Sequence, residues 1–424
     1  MLRLFALFGC GLFPLMLCAQ VTAITPDHVY RENIRTVKLT PQGTPLAYPL
    51  IALDQGSKVE LSFDDLDADV KNYYYTLVLC NADWTPANLT PFDYLRGFTE
   101  NRIVDYHYSS VALQRYTHYR AELPNGDFTI TRPGNYLLKV YLDNDTSQLA
   151  FTRRLLVVNN KAVIQGRIEQ PINPKLFRSH QKVNFSVSLK GVQVSNALSQ
   201  VKVCILQNYR WDNAITGIRP TFLKGDVLEY NAENDCVFPG TKEWRWIDLQ
   251  SFRLQTERVD HIDYGKRSTD VYALPDPQRV TIRYLYLKDI NGHYYPSMLE
   301  TGYNPDYEGD YATVHFTFPA ETPYAGSDLY IFGELTNYEC NESNKLTYNA
   351  ARHAYEGTLL LKQGYYNYVY GTVDQASGKL NTTNTEGNWW ETENDYTILV
   401  YFRPLGGRAD ELIGAQTLNS LQNR

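Results

Sequence analysis

The stretch Val59-Glu60-Leu61-Ser62-Phe63-Asp64 decides how the chain is read. Val59, Leu61 and Phe63 alternate with Glu60, Ser62 and Asp64, the period of a strand with one buried face. The pattern recurs far along the chain. Val201, Val203 and Ile205 alternate with Lys202, Cys204 and Leu206, and Val314, Phe316 and Phe318 with Thr313, His315 and Thr317. Tyr136, Leu138, Val140 and Leu142 make a further such face. Turn residues separate these runs at 124–126 (PNG), 133–135 (PGN), 289–292 (DING) and 362–364 (KQG). Asn291-Gly292, between 283–287 and 293–296, predicts a hairpin. Long helical periodicity is missing. Short helical turns are predicted near 88–96 and 111–115, and a short helix within 409–421.

The fold class that follows is all-β, a tandem of immunoglobulin-like sandwiches. At 424 residues the chain is long enough for two to four domains. The division expected is 24–158, 161–305 and 311–405, followed by a tail at 406–424. Asn159-Asn160-Lys161 marks the first junction, and the Gly/Asn/Pro/Asp-rich stretch 301–310 the second. The 34 Tyr and a 13% aromatic content suit half-buried β-surfaces. A net charge of -7 argues against a nucleic-acid-binding surface spread over the whole chain. No internal apolar run reaches the roughly 20 residues of a membrane span.

The first 19 residues read as an export signal. Arg3 supplies the positive region, 4–17 is apolar but broken by Gly9, Gly11 and Pro14, and Ala19 is the expected cleavage point, with Ala23 second. Leu17 before Cys18 disfavours a lipoprotein. The mature chain keeps Cys80, Cys204, Cys236 and Cys340. None forms a CxxC pair, and buried free thiols are expected, with a Cys236–Cys340 bridge as the alternative.

Catalytic and metal signals are sparse. Asp64, Asp65, Asp67 and Asp69 form the densest acidic cluster. With Asp65 as position 1, an EF-hand would need Gly at Val70 and Glu at Thr76, so that reading fails; a looser calcium site or a polar turn is left. The eight His show neither HxH nor HxxxH spacing, and no GxSxG elbow, HExxH or phosphate-cradling loop occurs. No catalytic residue, metal ligand or cofactor is therefore assigned. Aromatic clusters are the other candidates: Tyr73-Tyr74-Tyr75, Trp244 with Trp246, Tyr365-Tyr366 with Tyr368 and Tyr370, and Trp389-Trp390. Trp389-Trp390, set among Gly387, Asn388 and Glu391, is the candidate partner interface.

Two resemblances extend this reading. LYIFGELTNY at 329–338 and YEGTLLLKQGYYNYVYG at 355–371 resemble a glycogen-binding, early-set sandwich. Tyr338 stands where those modules carry a sugar-stacking Trp, and Tyr368 near their frequent Lys. A wider set of blocks, in order, resembles the plug protein family of the type IX secretion system of Bacteroidetes. They are VELSFDDLDAD at 59–69, NYYYTLVLCNADW at 72–84, YTHY at 116–119, GNYLLKVY at 134–141, TRR at 152–154, LQNYRWDNAI at 206–215, FPG at 238–240, DING at 289–292 and ETENDY at 391–396. That resemblance implies a periplasmic, non-enzymatic protein. Its partner would be the outer-membrane β-barrel translocon, whose periplasmic mouth it seals. The alternative is a secreted glycan-binding sandwich protein, tested by whether Trp389 and Trp390 bind sugar.

Overall fold

In the computed structural model, which describes residues 26–53 and 55–424, the strands group into three sandwiches. The predicted export signal and its cleavage point lie outside the described residues.

The first sandwich faces two antiparallel sheets. One runs Ile34–Pro41, Val59–Asp65, Thr117–Leu123, Asp105–Tyr108; the other runs Leu50–Ala52, Leu149–Val158, Gly134–Leu142, Tyr73–Cys80, Glu100–Arg102. Within the second, Leu50–Ala52 joins in parallel. The alternation explains the pairing: Val59, Leu61, Phe63, Tyr73, Tyr75, Tyr136, Leu138 and Val140 point into one core. Phe63 stacks on Tyr119 with ring centroids 5.1 Å apart and meets Tyr73 edge-on at 5.0 Å.

The second sandwich packs Val163–Glu169, His180–Ser188, Val227–Tyr230 and Phe222–Lys224 against Arg210–Thr216, Val201–Gln207, Asp395–Phe402 and Glu411–Asn419. The third is one ten-stranded sheet wrapped on itself. It runs Arg245–Asp248, Gly364–Asp374, Ser327–Phe332, Lys345–Asn349, Ala354–Lys362, Tyr311–Pro319, Thr269–Ala273, Val259–Tyr264, with two short strands on Gly364–Asp374.

The sheets therefore cut across the expected bounds 161–305 and 311–405. Arg245–Asp248, Val259–Tyr264 and Thr269–Ala273 join the third sheet, while Asp395–Phe402 returns to pair with Val201–Gln207. The third sandwich is inserted into the second. A division by consecutive segments misses this, because the strand that completes a sandwich need not be near in sequence.

Other expectations are corrected too. The predicted helix within 409–421 is the strand Glu411–Asn419. Leu412 enters the contact with the first sandwich and Ile413 the second core, so both faces are apolar and the period is lost. Of the two predicted helical turns, the one near 88–96 is present as the 3-10 turn Pro91–Asp93, whereas 111–115 holds none. Asn291 (φ 52°) and Gly292 (φ 84°) do form a turn, but not a hairpin. Tyr294–Pro296 pairs with Gly364–Asp374 instead. Cys80, Cys204, Cys236 and Cys340 are free thiols; Cys236 sits in the second core and Cys340 against Trp244 and Phe332, so no Cys236–Cys340 bridge forms.

Candidate functional site

The chemistry-bearing side chains gather where the three sandwiches meet. Alternation puts Asp64 on the face of its strand opposite Phe63. That face is not wet: the third sandwich covers it, and Asp64 is 0% exposed. Its Oδ2 accepts from Lys362 Nζ and from the Tyr311 hydroxyl, both at 2.6 Å, and its Oδ1 lies 2.7 Å from His118 Nδ1. Burial alone would raise this carboxyl. The Lys362 ammonium and His118 outweigh it and hold the group below the usual carboxylate range. Lys362 also lies over the Tyr116 ring, 4.2 Å from its centroid. Around this pair, the Tyr116 hydroxyl donates to Gly309 O (2.8 Å), and the amides of Leu113 and Gln114 donate to Asp310 (2.9 and 3.1 Å).

A second group lines a cavity of about 300 Å³ at the three-way junction. Lys38 comes from the first sandwich, Tyr209 and Trp211 from the second, His293, Glu334 and Tyr338 from the third. Lys38 Nζ donates to Glu334 Oε1 (2.6 Å) and Tyr294 O (3.0 Å); Glu334 Oε2 accepts the Tyr294 amide (3.0 Å) and lies 3.2 Å from His293 Nδ1. Burial opposes ionisation of Glu334, but Lys38 and His293 hold it well below the usual range. Acid, base and cation here satisfy one another across a domain boundary. That arrangement ties two sandwiches together and leaves neither Lys38 nor Glu334 a free proton site.

The acidic cluster has a different answer. Lys71 Nζ sits 2.7, 2.5 and 2.9 Å from Asp65, Asp67 and Asp69. The place a loosely bound calcium would take holds an ammonium from the same turn.

The third contact is the insertion junction. The outgoing chain at Gly240-Thr241 runs beside the returning chain at Asn388–Asn394. The Trp389 amide donates to Thr241 O (2.9 Å), the Thr241 amide to Asn388 Oδ1 (2.8 Å), and Asn394 Nδ2 to Gly240 O (2.9 Å). Gln181 Nε2 reaches the carbonyls of Trp390 (2.6 Å) and Thr392 (2.7 Å). Trp389 and Trp390 are half-buried. Lys242 lies over the Trp389 ring at 5.8 Å and Tyr284 beside it at 6.3 Å, while Arg424 covers Trp390 at 4.2 Å. The flat faces a sugar would stack on are already engaged. Tyr338 likewise packs against Phe332 (5.7 Å) and Trp244 (6.4 Å). Tyr366, Tyr368 and Tyr370 are core, the last two donating to Asp276 at 2.6 and 3.1 Å.

Beside this junction Asp289 accepts the amides of Trp244 (2.5 Å) and Asn291 (2.9 Å). Burial, with Glu393 and Glu243 nearby, pushes its carboxyl up to about 7 against those two amides. Burial also raises Glu243 and Glu393. A folded value above the unfolded ~3.9 gives stability that is full below the unfolded value and is lost as pH rises through about 7. The expected result is a melting temperature that falls from pH 5 to pH 8 more steeply in the native chain than in Asp289→Asn. Scanning calorimetry across that range checks it; parallel curves would refute it.

The exposed surface supplies the remaining candidates. Along one edge of the first sandwich lie Phe98 (66% exposed), Val104 (73%), Tyr106, Tyr108, Val111 and Leu113. Sequence reading did not single these out, because half-alternating strands carry no mark of which edge remains open.

A family model described as type 9 secretion system plug protein 1st domain matches residues 34–159. A crystal structure of a hypothetical protein from Parabacteroides merdae is similar at a TM-score of 0.88 and 32% identity, covering 92% of this chain and 98% of that one. No match is found among curated proteins.

Proposed function

This chain belongs to the type 9 secretion system plug protein family, and from that premise we propose that it docks on the periplasmic mouth of the system's outer-membrane β-barrel translocon and seals it while no cargo is present. The match over the first sandwich carries the reading. Physical sense supports it. A pore wide enough for folded cargo leaks solutes unless one end is covered. A cover must keep its shape without ordering on contact, and three sandwiches joined pairwise supply a preorganised surface. The first and second meet through Leu156, Val158, Leu206, Leu399, Tyr401 and Leu412; the first and third through Asp64–Lys362 and Lys38–Glu334; the second and third through the insertion junction. Among the described residues no helix is long and apolar enough to cross a membrane. On this reading the protein works in the periplasm, held to the outer membrane through its partner, and makes or breaks no bond.

The open edge of the first sandwich is one proposed contact, since a releasable interface keeps a modest apolar centre in a polar rim. Tagged protein isolated from its native envelope is expected to bring a very large outer-membrane barrel with it. Phe98→Glu with Val104→Glu should weaken that capture at least about tenfold, while changing stability by no more than about 0.5 kcal/mol, because both side chains are mostly exposed. Recovery of soluble proteins alone would contradict the reading.

A further inference from the structure

Among the described residues, no backbone amide or carbonyl from Arg283 to Asp289 finds a hydrogen-bond partner, and the segment lies outside every strand. Its sequence is nonetheless that of a strand, RYLYLK at 283–288, rich in aromatic and apolar residues. Leu285 is 66% exposed and Tyr286 47%, with Leu287 exposed beside them. The segment is not a loose loop. Upstream, Lys242 Nζ holds Ile282 O at 2.9 Å; downstream, Asp289 holds the amides of Trp244 and Asn291. In the middle the Tyr284 hydroxyl donates to Glu243 (2.5 Å) and Glu391 O (3.1 Å), pinning the segment beside Trp389 and Trp390. From Arg283 to Asp289 no residue has a positive φ and none lies in a turn or bend, so the run is not kinked.

We propose that 283–289 is a docking edge for an extended strand of a partner protein, which completes the missing backbone hydrogen bonds. A row of unpaired donors and acceptors is a template for strand addition, and exposed apolar side chains supply the area around it. The two cations at its ends, Arg283 and Lys288, make no ion pair among the described residues. The fitting occupant is therefore a strand with apolar residues at its centre and carboxylates at both ends. The proposal rests on the plug reading for its source: that strand belongs to the translocon.

Amide hydrogen exchange, read residue by residue on the chain isolated with the translocon and on the free chain, tests this. Strand addition engages one edge, so alternate amides between 283 and 289 should slow at least about 100-fold in the complex while those between stay fast. Leu285→Pro and Tyr286→Pro remove amides of opposite parity; one should abolish capture and the other leave it intact. Retained translocon with the segment exchanging as in the free chain would overturn the docking edge and leave the plug reading standing. Slowing in the free chain that grows with its concentration would make a second copy the occupant, and would also overturn it. Should no translocon be retained, the plug reading fails. The edge is then tested with a synthetic Glu-Val-Thr-Val-Thr-Val-Glu peptide, where alternate protection sustains it and unchanged exchange overturns it.

Discussion

Lys362→Met is expected to destabilise the folded chain by about 3–5 kcal/mol, because it leaves the Asp64 carboxylate buried without its cation. Asp64 and Lys362 are 0% and 1% exposed at their side chains, so water cannot take over the lost contact. The loss should appear first where the first and third sandwiches separate, as faster exchange of the Leu113 and Gln114 amides held by Asp310. The double variant Asp64→Asn, Lys362→Met removes both charges and should recover most of the loss. The acid limb gives an independent reading. A carboxyl held low in the folded chain lends stability above its unfolded value of ~3.9 and surrenders it as pH falls through the lower folded value. Asp64→Asn should therefore flatten the acid side of the stability profile. Urea unfolding from pH 7 down to pH 3 would measure both effects, and an unshifted midpoint for Lys362→Met would refute the account of this contact.

Gly240→Ala should open the insertion junction. A Cβ there would lie 2.0 Å from the Trp389 carbonyl oxygen and 2.8 Å from its carbon, both backbone atoms that cannot swing away. The outgoing and returning chains must part, and the hydrogen bonds among Thr241, Asn388, Trp389 and Asn394 go with them. A cost of at least about 3 kcal/mol is expected. Gly126→Ala is the control: nothing lies within 4 Å of its added Cβ, and the change should stay within about 0.5 kcal/mol. Limited proteolysis at the 240 and 388–394 crossings, compared with calorimetry, separates a loosened junction from a general loss of stability. Equal behaviour of the two variants would show that the close approach carries no weight.

The strands were legible because alternation is a local signal. Val59, Leu61 and Phe63 declare their buried face within six residues, and the core confirms it. What covers the other face is not local. Asp64 looks like a solvated turn residue until Lys362, from the third sandwich, is placed on it. Lys38, His293 and Glu334 fail to announce themselves for the same reason, coming from separate strands and turns that only the docked sandwiches bring together. Trp389-Trp390 was conspicuous in a polar setting, yet that setting is the return path of an inserted domain, a topology that sequence order conceals. Asn291-Gly292 signals a turn and forms one, but the turn closes no hairpin. Tyr294–Pro296 finds a better partner in Gly364–Asp374, and the 283–289 arm is left without one.

The central claim is that this rigid three-sandwich body covers the periplasmic opening of the translocon. Conductance of the purified translocon in a planar bilayer tests it most directly. Adding the mature chain to the periplasmic side should close a large, persistently open channel, and washing it away should reopen it. Conductance that stays unchanged with the chain bound to the barrel would contradict the account.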